Sequence, residues 1–141
     1  MADDGSDFAR SMSIATSGLR AQAGRMRVIS ENIANADSTA PTAAGNPYRR
    51  KVPTFSSALD RTLDARVVTL GKIRTDQSAF RIKHEPSNPA ADAAGNVKYP
   101  NVNPLIAMSD MREAQRSYEA NLNIISATRR MIQRTLDILK A

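Results

Sequence analysis

The chain has few residues that could do chemistry. Its 141 residues hold one His and no Cys. That excludes a multi-histidine metal cluster, a thiolate site, a disulfide framework and a thiol nucleophile. The imidazole stands in Lys83-His84-Glu85-Pro86, and a histidine becomes a general base only where a nucleophile or metal is placed beside it. No such partner is visible, so His84 reads as a surface or strand-end residue. Asp60 and Asp64 flank Arg61 at helical spacing, which reads as a solvated helix face. The six glycines are scattered, and none falls in a phosphate-binding pattern. Arg49-Arg50-Lys51 is a cationic group that could neutralise phosphates, with Tyr48 and Phe55 placed to stack bases. No zinc-finger, RNP or recognition-helix pattern accompanies it. The expectation is a protein that is not an enzyme, with no catalytic residue, cofactor, metal or small-molecule substrate. A small basic nucleic-acid-binding protein is the alternative.

The elements that would position these residues are set by composition. The length suits one domain. Aromatic residues make up 4% and apolar residues 41%, which is thin for a self-sufficient core. No apolar run reaches the roughly 18 residues of a membrane-spanning helix. The start, Met1-Ala-Asp-Asp-Gly-Ser-Asp7, is acidic and polar, unlike a secretory signal. All seven prolines lie between Pro41 and Pro104. Proline breaks helices, so a proline-studded middle separates two flanks that can be helical.

Both flanks carry heptad spacing. In the first, Phe8, Met12, Ala15, Leu19, Gln22, Met26, Ile29 and Ile33 alternate steps of four and three, and seven of these eight are apolar. Asp7 is placed to cap the start. Asn35 offers a left-handed stop before the turn formers that lead to Pro41. Gly18 and Gly24 conflict with a helix interior unless another backbone comes close there. In the last flank Asn103-Pro104 is an N-cap with proline at the first helical position. Met108, Met111, Gln115, Tyr118, Leu122, Ile125, Arg129, Ile132, Leu136 and Leu139 follow, eight of ten apolar. Ile124, Met131 and Ile138 widen the stripe. Helices of about 45 and 55 Å, paired only with each other, leave apolar surface uncovered, and such surface marks an interaction site. The chain is expected to be completed by copies of itself or by relatives.

The middle reads as short strands and turns. Arg66–Leu70 and Ala79–Lys83 have strand composition, and Pro47–Pro53 is a weaker extended piece. Ser87-Asn-Pro89 and Ala94-Gly-Asn96 are turn signals. Of the net charge of +6, residues 40–103 contribute +5. The fold expected is mainly α: long N- and C-terminal helices paired as a coiled-coil-like unit, with a small irregular or β-hairpin middle. The segments are 1–39, 40–103 and 104–141.

Three motifs in order carry a resemblance to a known family. Ser30-Glu-Asn-Ile-Ala-Asn-Ala-Asp-Ser38 followed by Pro47-Tyr48-Arg49 resembles the N-terminal signature of the bacterial flagellar axial proteins, the rod, hook and hook-associated subunits. Met108-Ser-Asp-Met-Arg-Glu-Ala-Gln-Arg-Ser-Tyr-Glu-Ala-Asn121 is similar to their C-terminal signature. The block Glu85–Asn103 and the short length resemble the proximal rod subunits of that family. His84 departs from the aromatic that usually precedes the Glu-Pro pair, and Asn96 from the Tyr that commonly follows the glycine.

The resemblance implies a structural subunit of the flagellar basal-body rod, the periplasm-spanning drive shaft that transmits torque from motor to hook. It also implies export through the flagellar export apparatus without a cleaved signal. The implied partners are copies of the same chain, other rod proteins, and the basal-ring and adaptor proteins, and not nucleic acid. The implied subunit interface comprises Phe8, Met12, Leu19, Met26, Ile29 and Ile33 with Asn35, Tyr48 and Arg49 from the first half. From the second half it comprises Met111, Tyr118, Leu122, Ile125, Arg129, Ile132, Leu136 and Leu139. Each helical seam is expected to be buried mainly on assembly.

Overall fold

The computed structural model describes residues 4–140. Helix α1 spans Asp4–Ala34 and helix α2 spans Pro104–Lys140. Between them lie β1 (Lys51–Val52), β2 (Phe55–Asp60), β3 (Ala65–Leu70), β4 (Arg74–Thr75), β5 (Arg81–His84) and β6 (Asn96–Tyr99). The strands form three antiparallel two-stranded ribbons, β1 with β4, β2 with β3 and β5 with β6. The chain is thus mainly α, with an N-terminal and a C-terminal helix and a small β-containing middle region between them in sequence, as the periodicity and the prolines require.

Local chemistry explains most element ends. Asn103 Oδ1 accepts the N–H groups of Leu105 and Ile106 at 3.0 and 3.3 Å, which fixes the start of α2 at Pro104 as the sequence predicts. Asp7 does not cap α1. The helix is already running at Asp4, and Asp7 pairs instead with Arg10 one turn on, at 3.3 Å. Asn35 ends α1 by a different route from the expected left-handed cap. Both its backbone N–H (3.1 Å) and its side-chain amide (2.8 Å) donate to the carbonyl of Glu31. The left-handed residue among the non-glycines described is Asp64, at φ 46°. Asp60 therefore ends β2, and Arg61 and Asp64 lie in the hairpin turn that follows, not on a helix face. Asp60 Oδ1 accepts the N–H groups of Thr62 and Leu63, an Asx turn that competes with helical hydrogen bonding.

The residues gather into two compact units. The first joins the described residues up to Met26, Thr54–Lys72, and the described residues from Glu113 on. In it the helices run antiparallel: Gly18 faces Asn121, and Arg25 meets Glu113 at 3.4 Å. The β2–β3 hairpin lies along α1. Arg10 donates to the carbonyl of Leu63 at 2.8 Å, the N–H of Val68 reaches Ser17 Oγ at 3.2 Å, and Leu70 packs on Gly24. The neighbours at the two helix glycines are the side chains of Asn121 and Leu70, where the sequence suggests a close backbone. A Cβ at Gly18 would stand 2.8 Å from Asn121 Oδ1, and one at Gly24 would stand 2.6 Å from Leu70 Cδ2.

The second unit joins Arg27–Pro53 and Ile73–Arg112. Its core is Ala90, Val97 and Tyr99, with Val102 also buried. Gly95, at φ +77°, turns the chain into β6.

Candidate assembly interface

The candidates for chemistry resolve first. His84 sits exposed on β5, in register with Asn96 on β6. Its Nδ1 stands 3.4 Å from Asn96 Oδ1, and its ring covers Gly95. The two positions that depart from the family pattern are therefore cross-strand partners, and such pairs are the unit of sheet stabilisation. Among the described residues no group of three His, Asp or Glu could hold a metal ion.

The basic triplet is engaged within its own unit. The Arg49 guanidinium lies 4.1 Å from the centre of the Phe80 ring and donates to the carbonyls of Asp76 and Ser78. Arg50 pairs with Asp76 at 3.5 Å and Asp110 at 3.8 Å. Lys51 pairs with Glu31. Carboxylates distant in sequence neutralise two of the three cations, and aromatic stacking holds the third. No open phosphate-binding patch results.

The N-terminal signature has a structural role. Asn32, 3% exposed, binds three groups at 2.8 Å each. Its Oδ1 accepts the Tyr48 hydroxyl and the Lys51 N–H, and its Nδ2 donates to the Lys51 carbonyl. One amide side chain so fastens the end of α1 to the start of β1. Burial, aided by the nearby Glu31 carboxylate, pushes the Tyr48 phenol up to about 12. Arg81 ties the segment after α1 to the central block, donating to Ala36 O at 2.6 Å and Pro100 O at 3.0 Å.

The central block is a second fastening. Glu85 accepts the Tyr99 hydroxyl at 2.8 Å and the Asn88 amide at 3.1 Å, and its N–H donates to Gly95 O. The Tyr99 bond, then Asn88 and the charge of Lys83, hold the Glu85 carboxyl below the usual carboxylate range. Tyr99 is raised in turn. Asn101 receives the Arg50 N–H and donates to Asp76 O and Ser78 Oγ. The backbone N–H of Ser78, then its hydroxyl, and Arg50 lower the Asp76 carboxyl.

The predicted seam positions divide between the two helices. On α1, Ile29 is buried and Phe8, Met12, Leu19, Met26 and Ile33 are half-buried within the chain. In the first unit the hairpin and α2 lie along α1, beside the positions up to Met26. On α2 the covered stripe is Ala107, Met111, Ala114, Tyr118, Asn121, Ile125, Thr128 and Ile132, all buried or half-buried at steps of four and three. It shares Met111, Tyr118, Ile125 and Ile132 with the stripe expected from sequence. Met108, Gln115, Leu122, Arg129, Leu136 and Leu139 stand exposed. The covered face alternates Ala107, Ala114, Asn121 and Thr128 with the larger Met111, Tyr118, Ile125 and Ile132, and Leu122 is left outward. On the other side of the covered stripe Ile124, Met131 and Ile138 are exposed as well, Ile138 at 75%. From 133 to 140 every residue is exposed. Asn35, Tyr48 and Arg49 are taken up by the intrachain contacts above, which arise from groups far away in sequence. No described helix is long and apolar enough to cross a membrane.

Comparison with known proteins agrees with this anatomy. The family profile for "Flagella basal body rod protein" matches residues 12–40, and that for "Flagellar basal body rod FlgEFG protein C-terminal" matches residues 93–138. The chain is similar to the flagellar basal-body rod protein FlgC of Agrobacterium fabrum, with 52% identity over 91% of this chain and 92% of the relative. It is similar to FlgC of Bacillus subtilis at 37% identity, covering 92% of this chain and 97% of the relative. For FlgC of Aquifex aeolicus the identity is 36%, covering 95% and 98%. The chain belongs to the FlgC family of flagellar basal-body rod proteins.

Proposed function

We propose that this chain assembles helically with copies of itself and with other rod proteins into the shaft that carries torque from motor to hook. The observation that carries the proposal is the apolar surface left exposed on α2 to both sides of the covered stripe and beyond its end, with Leu122 46%, Ile124 48%, Met131 53% and Leu136 45% exposed. Apolar burial stabilises by about 25 cal/mol per Å², so each copy lowers its free energy by covering these side chains. The α1 positions Phe8, Met12, Leu19, Met26, Ile29 and Ile33, buried or half-buried in the single chain, complete the proposed contact set. Arg129, among the aliphatics, lays its stem on apolar surface and keeps its head in water. A contact between unlike surfaces of identical chains need not close, and it propagates as a helix. The same reading places the chain in the periplasmic part of the basal body, next to basal-ring and adaptor proteins. It travels there through the flagellar export apparatus without a cleaved signal.

The test is Leu122→Asp in place of the natural gene. Placing a carboxylate in a desolvated contact costs several kcal/mol. Rods and swimming should be lost, while the circular dichroism of the purified variant matches that of the parent. Normal rods from Leu122→Asp would remove the stripe from the interface.

A further inference from the structure

The β2–β3 ribbon is two strands wide, and its two edges differ. The edge of β3 is in use: the N–H of Val68 donates to Ser17 Oγ on α1 at 3.2 Å. The edge of β2 is open. Thr54 O accepts the Gly71 N–H at 2.7 Å, next to the Phe55–Leu70 pair. Antiparallel ladders alternate bonded and non-bonded pairs. The N–H and C=O groups of Phe55, Ser57 and Leu59 therefore point away from β3. Val68, opposite Ser57, points away from β2 by the same rule. Among the described residues nothing bonds to these outward backbone groups of β2. All three residues are exposed, Phe55 at 44% and Leu59 at 58%.

Soluble proteins blunt such an edge with a lysine, a proline or a bulge. Phe55–Asp60 holds none of these, and its one charge, Asp60, stands at the end. The β5–β6 ribbon is guarded. On β6, Asn96 O already accepts the Asp92 N–H at 2.9 Å. Strand β5 carries Arg81, Lys83 and His84, and a second β5 centred on Lys83 would set lysine against lysine, which is unfavourable.

The open groups of β2 fit a second β2. With the two strands antiparallel about Ser57, Phe55 stands opposite Leu59 of the second copy, and Leu59 opposite its Phe55. On the other face Ser56 meets Ala58 and Asp60 meets Thr54, so no like charges oppose. All three residues of each copy are then satisfied, with about six backbone hydrogen bonds. A shift of two residues sets Leu59 against Pro53, which has no N–H, or Phe55 against Arg61 in the turn.

We infer that two free chains join through their β2 edges into one four-stranded antiparallel sheet. The contact is isologous and closes on itself, so it cannot extend a shaft. It is a state of the chain before assembly and competes with the rod contact. The inference stands apart from the rod reading, and either can fail without the other. A contact of one short strand falls below the standard interface size, so the pair is weak and dissociates on dilution.

The purified full chain tests it, and thiols give no background because the sequence has no cysteine. Position 57 lies on the two-fold axis, where it meets its own copy. Two copies of position 61 are about 27 Å apart in the same pair. On oxidation Ser57→Cys should form a covalent dimer at least about tenfold faster than Arg61→Cys. Sedimentation should show a monomer–dimer equilibrium that Ser57→Pro weakens about tenfold. Proline there removes an outward N–H and leaves the ladder to β3 intact, so circular dichroism should match the parent. Equal oxidation rates at positions 57 and 61 overturn the inference. So does a parent that stays monomeric up to about 0.5 mM. A dimer that persists unchanged in Ser57→Pro is held by another surface, such as the exposed side chains of α2, and also overturns it.

Discussion

Replacing Asn32 by Ala removes three hydrogen bonds at once. The amide serves the Tyr48 hydroxyl, the Lys51 N–H and the Lys51 carbonyl, each at 2.8 Å. A typical intramolecular hydrogen bond contributes about 1 kcal/mol net, and an orphaned buried group costs about 1–3. Lys51 and Tyr48 are half-buried, so water reaches part of what is lost. The expected loss is about 3 kcal/mol. Tyr48→Phe removes one of the three bonds and should cost about 1 kcal/mol. Asn32→Asp keeps both acceptors but sets a carboxylate oxygen against the Lys51 carbonyl, and should fall near the alanine variant. The assay is urea denaturation followed by tyrosine emission. The chain has no Trp and three Tyr, of which Tyr48 and Tyr99 lie in the unit that Asn32 fastens. A loss below about 1 kcal/mol in Asn32→Ala, or one equal to that of Tyr48→Phe, would refute the view that this amide joins α1 to β1.

Acid should weaken the second unit. Glu85 and Asp76 are held below their ordinary values of 4.5 and 3.8, so the unfolded chain takes up protons before the folded one. The stability they contribute is present above those ordinary values and is lost as pH falls through the folded ones. Glu85→Gln should flatten that limb in a pH series of denaturation midpoints. Alkali acts through Tyr48, which keeps its proton to about 12 where a free phenol loses it near 10.0. Its contribution is complete below the lower value, declines between the two, and should vanish from the profile in Tyr48→Phe. Asp64→Val should destabilise the hairpin by about 1–2 kcal/mol, because a β-branched residue resists the left-handed φ of 46°. Asp64→Gly should change thermal stability little.

The sequence revealed what depends on local chemistry. Asn103-Pro104 marks the start of α2, and Arg66–Leu70 reads as the strand it is. Phe55–Asp60 was not legible, because Ser56 and Ser57 have little strand preference and the segment becomes β2 only by pairing with β3. The face of α2 that the single chain covers lies partly one residue away from the stripe of large aliphatics, for a physical reason. Periodicity weighs large aliphatics most, but Ala114 and Thr128 are the residues the chain covers, and Leu122 is left out. The basic triplet looked open because Glu31, Asp76 and Asp110, its counter-charges, lie 20 to 60 positions away. Asn32 is a single polar residue in a helical run, and nothing in its neighbours announces three partners. The motif containing it pointed to the family without disclosing its mechanical task.

Leaving Leu122, Ile124, Met131 and Leu136 uncovered on α2 has a thermal consequence. Attraction between such side chains near room temperature arises from released water, and it fades on cooling. Filaments held by burying those side chains should grow better in the warm and with salting-out ions such as sulfate, and shed subunits in the cold.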